Sequence, residues 1–431
     1  MSHPIQLHIE KKELLEQIEL LAINEEYIVV LDSCEMPSAC NLKQFELLVA
    51  WGAKSVFVPL TDDIFSEFKA WRKLHSDWSF GLFSYELKNN IEQLSSKGPN
   101  FSDLPAIAFF VPEHVVTIDV KGVCLLYSDV LNGKDFEKKP KPIETSKLFN
   151  EQAEIKARTS KQNYIADITK IKELIADGDV YELNYCQEFF CQPAYLNNPY
   201  GLYKSLIKKN PSPFSAFYKF KTNYILSSSP ERFLLHQDSI LTSQPIKGTA
   251  KRQGKVEEEK AKKNLYLSEK DRAENVMIVD LVRNDLSRSC MAGSVKVKEL
   301  FGIYTYPFVY QMISTIEGQK RTDIDEIDAL KNCFPMGSMT GAPKIAAMKI
   351  IDLLEKASRG WYAGAMGYIE PNGNFDFNVA IRSYFYNQKT DYLSVWAGGA
   401  ITYDSDAESE YKESLLKAAV LLKQIEKPDL T

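Results

Sequence analysis

The spacing of apolar positions changes repeatedly along the chain, and the changes mark out its elements. Over Lys11–Leu21 apolar residues recur at helical spacing, whereas Tyr27-Ile-Val-Val-Leu31 is a compact β-branched run that predicts a strand. A second strand is predicted around Ser55-Val-Phe-Val-Pro59, so residues 1–130 carry a mixed α/β pattern. Asn132–Asn163 loses this periodicity and is rich in Lys, Glu, Pro and Asn. It reads as a linker between a region 1–150 and a region 160–425, or as a long solvated loop within one domain. Beyond it Tyr164, Ile165, Ile168, Ile171, Leu174 and Ile175 define a helix, and Gly178 supplies its stop. Strands are predicted in Val180–Cys191, Ala216–Tyr218, Tyr224–Ser228, Phe233–His236 and Ser239–Thr242, followed by one long charged helix across Glu257–Leu286. Strands that cluster, with helices grouped between them, favour an α+β fold over an alternating βαβ sheet.

Composition then narrows the chemistry. The 431 residues are 45% hydrophobic, enough for a large core and, by length, two or three domains. The net charge of 52 − 58 = −6 offers no basic field for nucleic acid. No apolar run is long enough to span a bilayer, and the N-terminus lacks a signal-peptide pattern. Seven scattered cysteines without a C-x-x-C pair fit free thiols in a reducing cytosol, so a cytoplasmic protein is expected. Histidine occurs only at positions 3, 8, 75, 114 and 236. No histidine lies after 236, so the chain beyond it has no imidazole for a zinc cluster or a Ser-His-Asp triad, and its chemistry must run on Lys, Glu, Asp, Arg or a bound metal.

Four segments stand out. In Ser243-Gln-Pro-Ile-Lys-Gly-Thr249, Pro245 and Gly248 fix the backbone around Lys247, which is either a surface lysine or a side chain held at a set angle. In Asp271–Asp285, Asp271, Glu274 and Leu281 share a helical face with Ile278. Acids on such a face either pair with a buried Arg or hold a cation. Cys333–Lys344 is a Gly- and hydroxyl-rich turn entering a helix whose first turn would contain Pro343, suited to an anion or to a plain cap. In Ala397–Lys417, Ser405 and Glu408 are spaced as a capping box, and Glu410, Glu413 and Lys417 fall on one helix face. Two carboxylates one turn apart make either an exposed acidic face or an oxygen site for Mg²⁺.

Together with Tyr181-Glu-Leu-Asn-Tyr-Cys-Gln187, Ser229-Pro-Glu-Arg-Phe233, Tyr362–Tyr368 and Phe377–Ser383, these segments resemble the chorismate-utilising enzymes. That group includes anthranilate synthase component I, aminodeoxychorismate synthase component I, isochorismate synthase and salicylate synthase. The resemblance covers about residues 160–425. It implies two opposed antiparallel β-sheets with helices outside, the N- and C-terminal parts interleaving. It also implies that Glu274 and Glu413 ligate Mg²⁺, with Glu410 alongside, directly or through water. Arg382 and Lys417 would take the carboxylates of chorismate, aided by backbone N–H groups at Gly398 and Gly399, and Thr249 and Tyr362 would line the pocket. Val30-Leu-Asp-Ser33 resembles the segment that binds tryptophan in anthranilate synthases.

Two positions select a branch. Where isochorismate- and salicylate-forming members carry a water-activating lysine, this chain has Gln187, and an amide is no general base. Lys247 stands where anthranilate synthases usually have Ala and aminodeoxychorismate synthases have Lys. The resemblance then implies that Lys247 attacks C2, that ammonia replaces it by attacking C4, and that Glu231 shuttles the proton at C4. This requires a lowered Lys247 pKa, expected from burial and from positive charge such as Mg²⁺ or Lys251. No cysteine sits in a nucleophile elbow, so a glutamine amidotransferase partner is expected to supply ammonia. Gln311 replaces the histidine that serves pyruvate elimination in anthranilate synthases, which implies a separate downstream lyase. The alternatives are anthranilate synthase component I itself and a non-catalytic chorismate- or tryptophan-binding regulator.

Overall fold

The computed structural model describes residues 4–92, 94–96, 98–101, 104–136, 148, 154–252, 254 and 257–425. Two large sheets dominate it, one of 12 strands and one of 10, and their strand pairings are antiparallel. Between them lies the main core, where Val29, Leu48, Ile225 and Trp396 of the larger sheet meet Phe80, Phe109, Leu234 and Phe377 of the smaller. Helices Lys11–Asn24 and Pro199–Lys209 cover the outer face of the larger sheet through a second cluster that includes Leu14, Ile18, Leu202 and Leu206. Helices Lys161–Ala176 and Lys344–Leu354 pack on strand Glu182–Cys191 through Ile168, Ile171, Leu183 and Ile351. The architecture is the α+β arrangement of two opposed sheets expected from the sequence.

N-terminal strands enter both sheets. Tyr27–Asp32 pairs with Phe214–Phe220 in the larger, and Ser79–Phe83 pairs with Ala365–Ile369 in the smaller. Regions 1–150 and 160–425 thus share one core. Of the linker segment, residues 137–147 and 149–153 lie outside the described residues, while its end already holds strand Lys156–Ala157 and the first turn of helix Lys161–Ala176.

Three local expectations are corrected. The single helix over Glu257–Leu286 is two, Glu258–Leu267 and Glu269–Ser287, because Ser268 leaves helical geometry and its hydroxyl caps the second at the Asp271 N–H. Pro343 is the N-cap of helix Lys344–Leu354, outside its first turn. Helix Ala407–Ile425 has no Ser405–Glu408 box. Asp406 accepts from the Ser409 N–H, Ser405 donates to Glu410 Oε1 at 2.8 Å, and Glu408 pairs with Lys161.

Candidate active site

The two sheets come together at matching ends. Strand Ile246–Lys251 is an edge of the smaller sheet, and strand Glu182–Cys191 lies next to the edge of the larger. The pairing of Ile246–Lys251 with Val309–Gln319 slips between Ile246 and Thr249, a bulge that re-aims the intervening side chains. Gly248 takes φ +98° there, and a Cβ would meet that of Asp271 at 3.0 Å, so helix Glu269–Ser287 approaches too closely for another residue. Lys247 is thereby turned inward. It is 8% exposed, and its Nζ donates to Glu182 Oε1 at 2.5 Å across the gap between the sheets.

Acids surround this amine. Glu231 precedes strand Arg232–Gln237, and burial pushes its carboxyl up to about 7 against the pull of Ser338 and Lys247. Glu274, on helix Glu269–Ser287, is likewise raised to about 7, chiefly by burial. The lowered Lys247 pKa expected from the sequence is corrected: burial does work to lower it, but Glu182, Glu274 and Glu231 outweigh burial and hold it above its usual value. Lys251 is exposed at the strand's end. A small pocket lies beside Glu231, lined by Ser243, Val282, Met336 and Ser338.

The opposite wall is built by strand Tyr392–Ile401 and helix Ala407–Ile425. At Gly398 a Cβ would lie 2.0 Å from the Tyr185 carbonyl oxygen, which demands glycine. A Cβ on Gly399 would have Glu410 Oε2 at 3.3 Å, Lys417 Nζ at 3.4 Å and Glu413 Oε1 at 3.7 Å, so three charged side chains converge on the bare backbone. Lys417 pairs with Glu413 at 2.7 Å and donates to the Gly398 carbonyl at 2.9 Å. Burial favours a raised Glu413 pKa, but Lys417 prevails and holds it low, whereas burial raises Glu410. Arg382, at φ +52°, donates to the Lys417 carbonyl at 3.0 Å. Tyr362 is buried, stacked on Trp396 with its hydroxyl 3.4 Å from Cys186 Sγ. Thr249 is exposed, opposite Gln311 in register. Gln187 is buried and donates to Ser414, well suited to hold helix Ala407–Ile425 in place.

Among the described residues no group of three His, Cys, Asp or Glu forms a closed metal cluster. The donors nevertheless suit a hard cation. Glu274 and Glu410 both face the Lys270 ammonium, at 3.9 and 4.0 Å, and Glu410 and Glu413 both face Gly399. These are carboxylate oxygens of the kind Mg²⁺ prefers, with a lysine supplying positive charge between two of them.

The sequence reading missed three features. Glu182 lies in the Tyr181–Gln187 motif but was given no role there, and its partner is 65 residues away. Arg359 is buried with Glu355 in a two-pronged pair at 2.9 and 2.7 Å, and also donates to the carbonyls of Met339 and Asn184. Glu355 is the C-cap of helix Lys344–Leu354 and Arg359 lies beyond it, so helical spacing gives no signal for that pair. Lys270 completes the set.

Compared with known proteins, residues 34–423 match the family of chorismate binding enzymes. The chain belongs to this family. It is 45% identical over 263 residues to the chloroplastic aminodeoxychorismate synthase of Arabidopsis thaliana, covering 60% of this chain and 28% of that protein. The chain thus spans less than a third of that plant relative. Aminodeoxychorismate synthase component 1 of Escherichia coli (strain K12) is 36% identical over 352 residues, 81% of this chain and 77% of that one. The crystal structure of anthranilate synthase component I from Streptococcus pneumoniae TIGR4 superposes with a TM-score of 0.73 at 25% identity, covering 97% of this chain and 91% of that one. The family and the two-sheet fold expected from the motifs are therefore established.

Proposed function

We propose that this chain aminates chorismate at C4 to give 4-amino-4-deoxychorismate. The observation that carries the reading is Lys247, a buried amine within reach of acids, in a chain similar to enzymes named aminodeoxychorismate synthase. Neutral Lys247 forms a bond from Nζ to C2 as both conjugated ring double bonds shift, to C1=C6 and C4=C5, and the C4–O bond breaks. Glu231, held to about 7 by burial, supplies the proton with which that oxygen leaves as water. Ammonia then attacks C4, both double bonds return, and the C2–N bond breaks to release the lysine.

Arg382 and Lys417 present positive charge to the substrate carboxylates, and Tyr362 walls the site. Glu274 and Glu413, with Glu410 alongside, are the residues that would hold Mg²⁺, which supplies neutralisation of a carboxylate when bound. The Escherichia coli relative is named as a component 1. In keeping with that, ammonia comes from a separate glutamine amidotransferase. Gln311 cannot relay a proton near neutral pH, so the product keeps its enolpyruvyl group and a separate lyase acts downstream. Incubation with chorismate, ammonium and Mg²⁺ tests the reading by product analysis with a lactate dehydrogenase-coupled pyruvate assay. C4 amination without pyruvate is expected. Stoichiometric pyruvate with anthranilate would replace it with the anthranilate synthase reaction.

A further inference from the structure

Among the described residues the hydrogen-bond partner of Lys247 is Glu182, a residue with no role in the reading above. Glu182 opens strand Glu182–Cys191 and is 1% exposed. One carboxylate oxygen accepts from Nζ at 2.5 Å. The other, Oε2, is buried without a hydrogen-bond partner among the described residues. A buried carboxylate normally has both oxygens satisfied, so an idle one beside an amine is a place where a proton can be received. The backbone cannot retreat. Glu182 pairs with Ala342, and a Cβ on Gly341 would lie 2.2 Å from the Glu182 carbonyl oxygen, so two main chains are in close contact.

The other charged groups near the pair come from two elements. Glu231 leads into strand Arg232–Gln237, while Glu274, Asp271 and Lys270 lie on helix Glu269–Ser287. Glu182 is the carboxylate among them that hydrogen-bonds the amine.

We propose that Glu182 is the proton partner of Lys247: it keeps the amine as an ammonium in the empty site and accepts that proton when the lysine becomes a nucleophile. This rests on the reading of Lys247 as the attacking group. One proton moves from Nζ to a Glu182 oxygen, leaving a neutral amine and a neutral carboxylic acid. The Nζ lone pair is then free to form the bond to C2, and the proton that leaves with the C4 oxygen still comes from Glu231. Because the transfer is internal, wild-type reactivity does not depend on solvent taking the lysine's proton. Glu182→Gln keeps a hydrogen-bond acceptor and removes the proton acceptor, so the lysine must then titrate against solvent.

Two measurements on the full chain test this. Without substrate, trace acetylation of Lys247 by acetic anhydride is followed against pH by peptide mass spectrometry. In Glu182→Gln the onset of labelling should move down by at least about one pH unit, which is about tenfold faster labelling at a fixed pH below it. Glu182→Asp should stay near wild type. Equal labelling in wild type and Glu182→Gln at every pH, including none in either, would overturn the proposal. With chorismate, ammonium and Mg²⁺, the wild-type to Glu182→Gln rate ratio should be largest at pH 6 and shrink by about tenfold or more by pH 9. A ratio independent of pH would reduce Glu182 to a structural contact. Intact mass of wild type with chorismate and no ammonia judges the underlying reading separately. Turnover without a Lys247 adduct would reject the covalent route, while the labelling result would still decide whether Glu182 governs the amine.

Discussion

Two Lys–Glu pairs face each other across this site, and they differ in little but their surroundings. Lys247 and Glu182 meet at 2.5 Å with side chains 8% and 1% exposed, while Lys417 and Glu413 meet at 2.7 Å with side chains 31% and 49% exposed. Water screens the second pair, so its charges remain presentable to a ligand and its contribution to stability is small. The first pair is out of water. There each ion depends on the other, and a shift of one proton changes the whole local balance. The comparison divides the labour of the site. On the proposed reading, the dry wall of Lys247, Glu182 and Glu231 moves protons, and the wetter wall of Lys417, Glu413 and Arg382 presents charge.

The sharpest way to break that comparison is Lys247→Ala. Turnover should fall by more than about 10⁴-fold, the scale of losing a nucleophile. Leaving Glu182 buried and unpaired should also cost about 3–5 kcal/mol in urea unfolding. The joint change Lys247→Met with Glu182→Leu should restore stability and leave activity absent, because two apolar groups replace two ions. C4 amination by Lys247→Ala at the wild-type rate would end the covalent reading, and unchanged stability would mean that the pair is not dry.

Next come the carboxylates that join the walls. Glu274→Ala and Glu413→Ala should each lower turnover by more than about 100-fold, beyond the effect typical of an outer partner of a metal ligand. Glu410→Ala should do less if it acts through water. EDTA should stop wild-type turnover and Mg²⁺ should restore it. Full turnover in EDTA would remove the metal from the reading and leave Lys270 as the cation that serves Glu274 and Glu410.

Stability against pH separates the walls by a smaller amount. Glu231 and Glu274 are raised from 4.5 to about 7 by burial. Between those values the folded chain holds protons that the unfolded chain has shed, so stability falls as pH rises through the window and levels off above about 7. Glu231→Gln should remove its share of the slope, on the order of a few kcal/mol between pH 5 and pH 8. Urea unfolding at both pH values checks it, and an unaltered slope would mean that Glu231 is not buried as described.

What the sequence disclosed follows the same division. Glu410, Glu413 and Lys417 were readable because a helix turns sequence spacing into a shared face, and Lys247 and Glu231 because short motifs carry them. The fold was readable from many ordered motifs, although helix ends were not: Ser268 breaks what looked like one charged helix, and Asp406 caps where Ser405 was expected. Glu182 was not readable as a site residue. Its strand is buried along most of its length, so alternation gives no inward face, and its partner arrives from the other sheet. The Lys247 pKa went the wrong way for the same reason. The expectation rested on burial and on positive charge such as Mg²⁺ or Lys251, whereas the acids that dominate around the amine come from distant segments.

The smallest effect is expected at the wetter pair. Glu413 precedes Lys417 by one helical turn, the favourable order for an ion pair on a helix, and such pairs contribute about 0.3–0.5 kcal/mol when exposed. Lys417 also holds the Gly398 carbonyl, which raises the figure slightly without burying the charge. Lys417→Met should therefore cost less than about 1 kcal/mol in urea unfolding. That cost should shrink further in 1 M NaCl, where the screening length is about 3 Å. On the proposed reading the same variant should raise the KM for chorismate, because it removes the ammonium proposed to meet a carboxylate. A loss as large as that of Lys247→Ala, unaffected by salt, would show that both pairs are structural ions of one kind, and the division between a proton-moving wall and a charge-presenting wall would have to be given up.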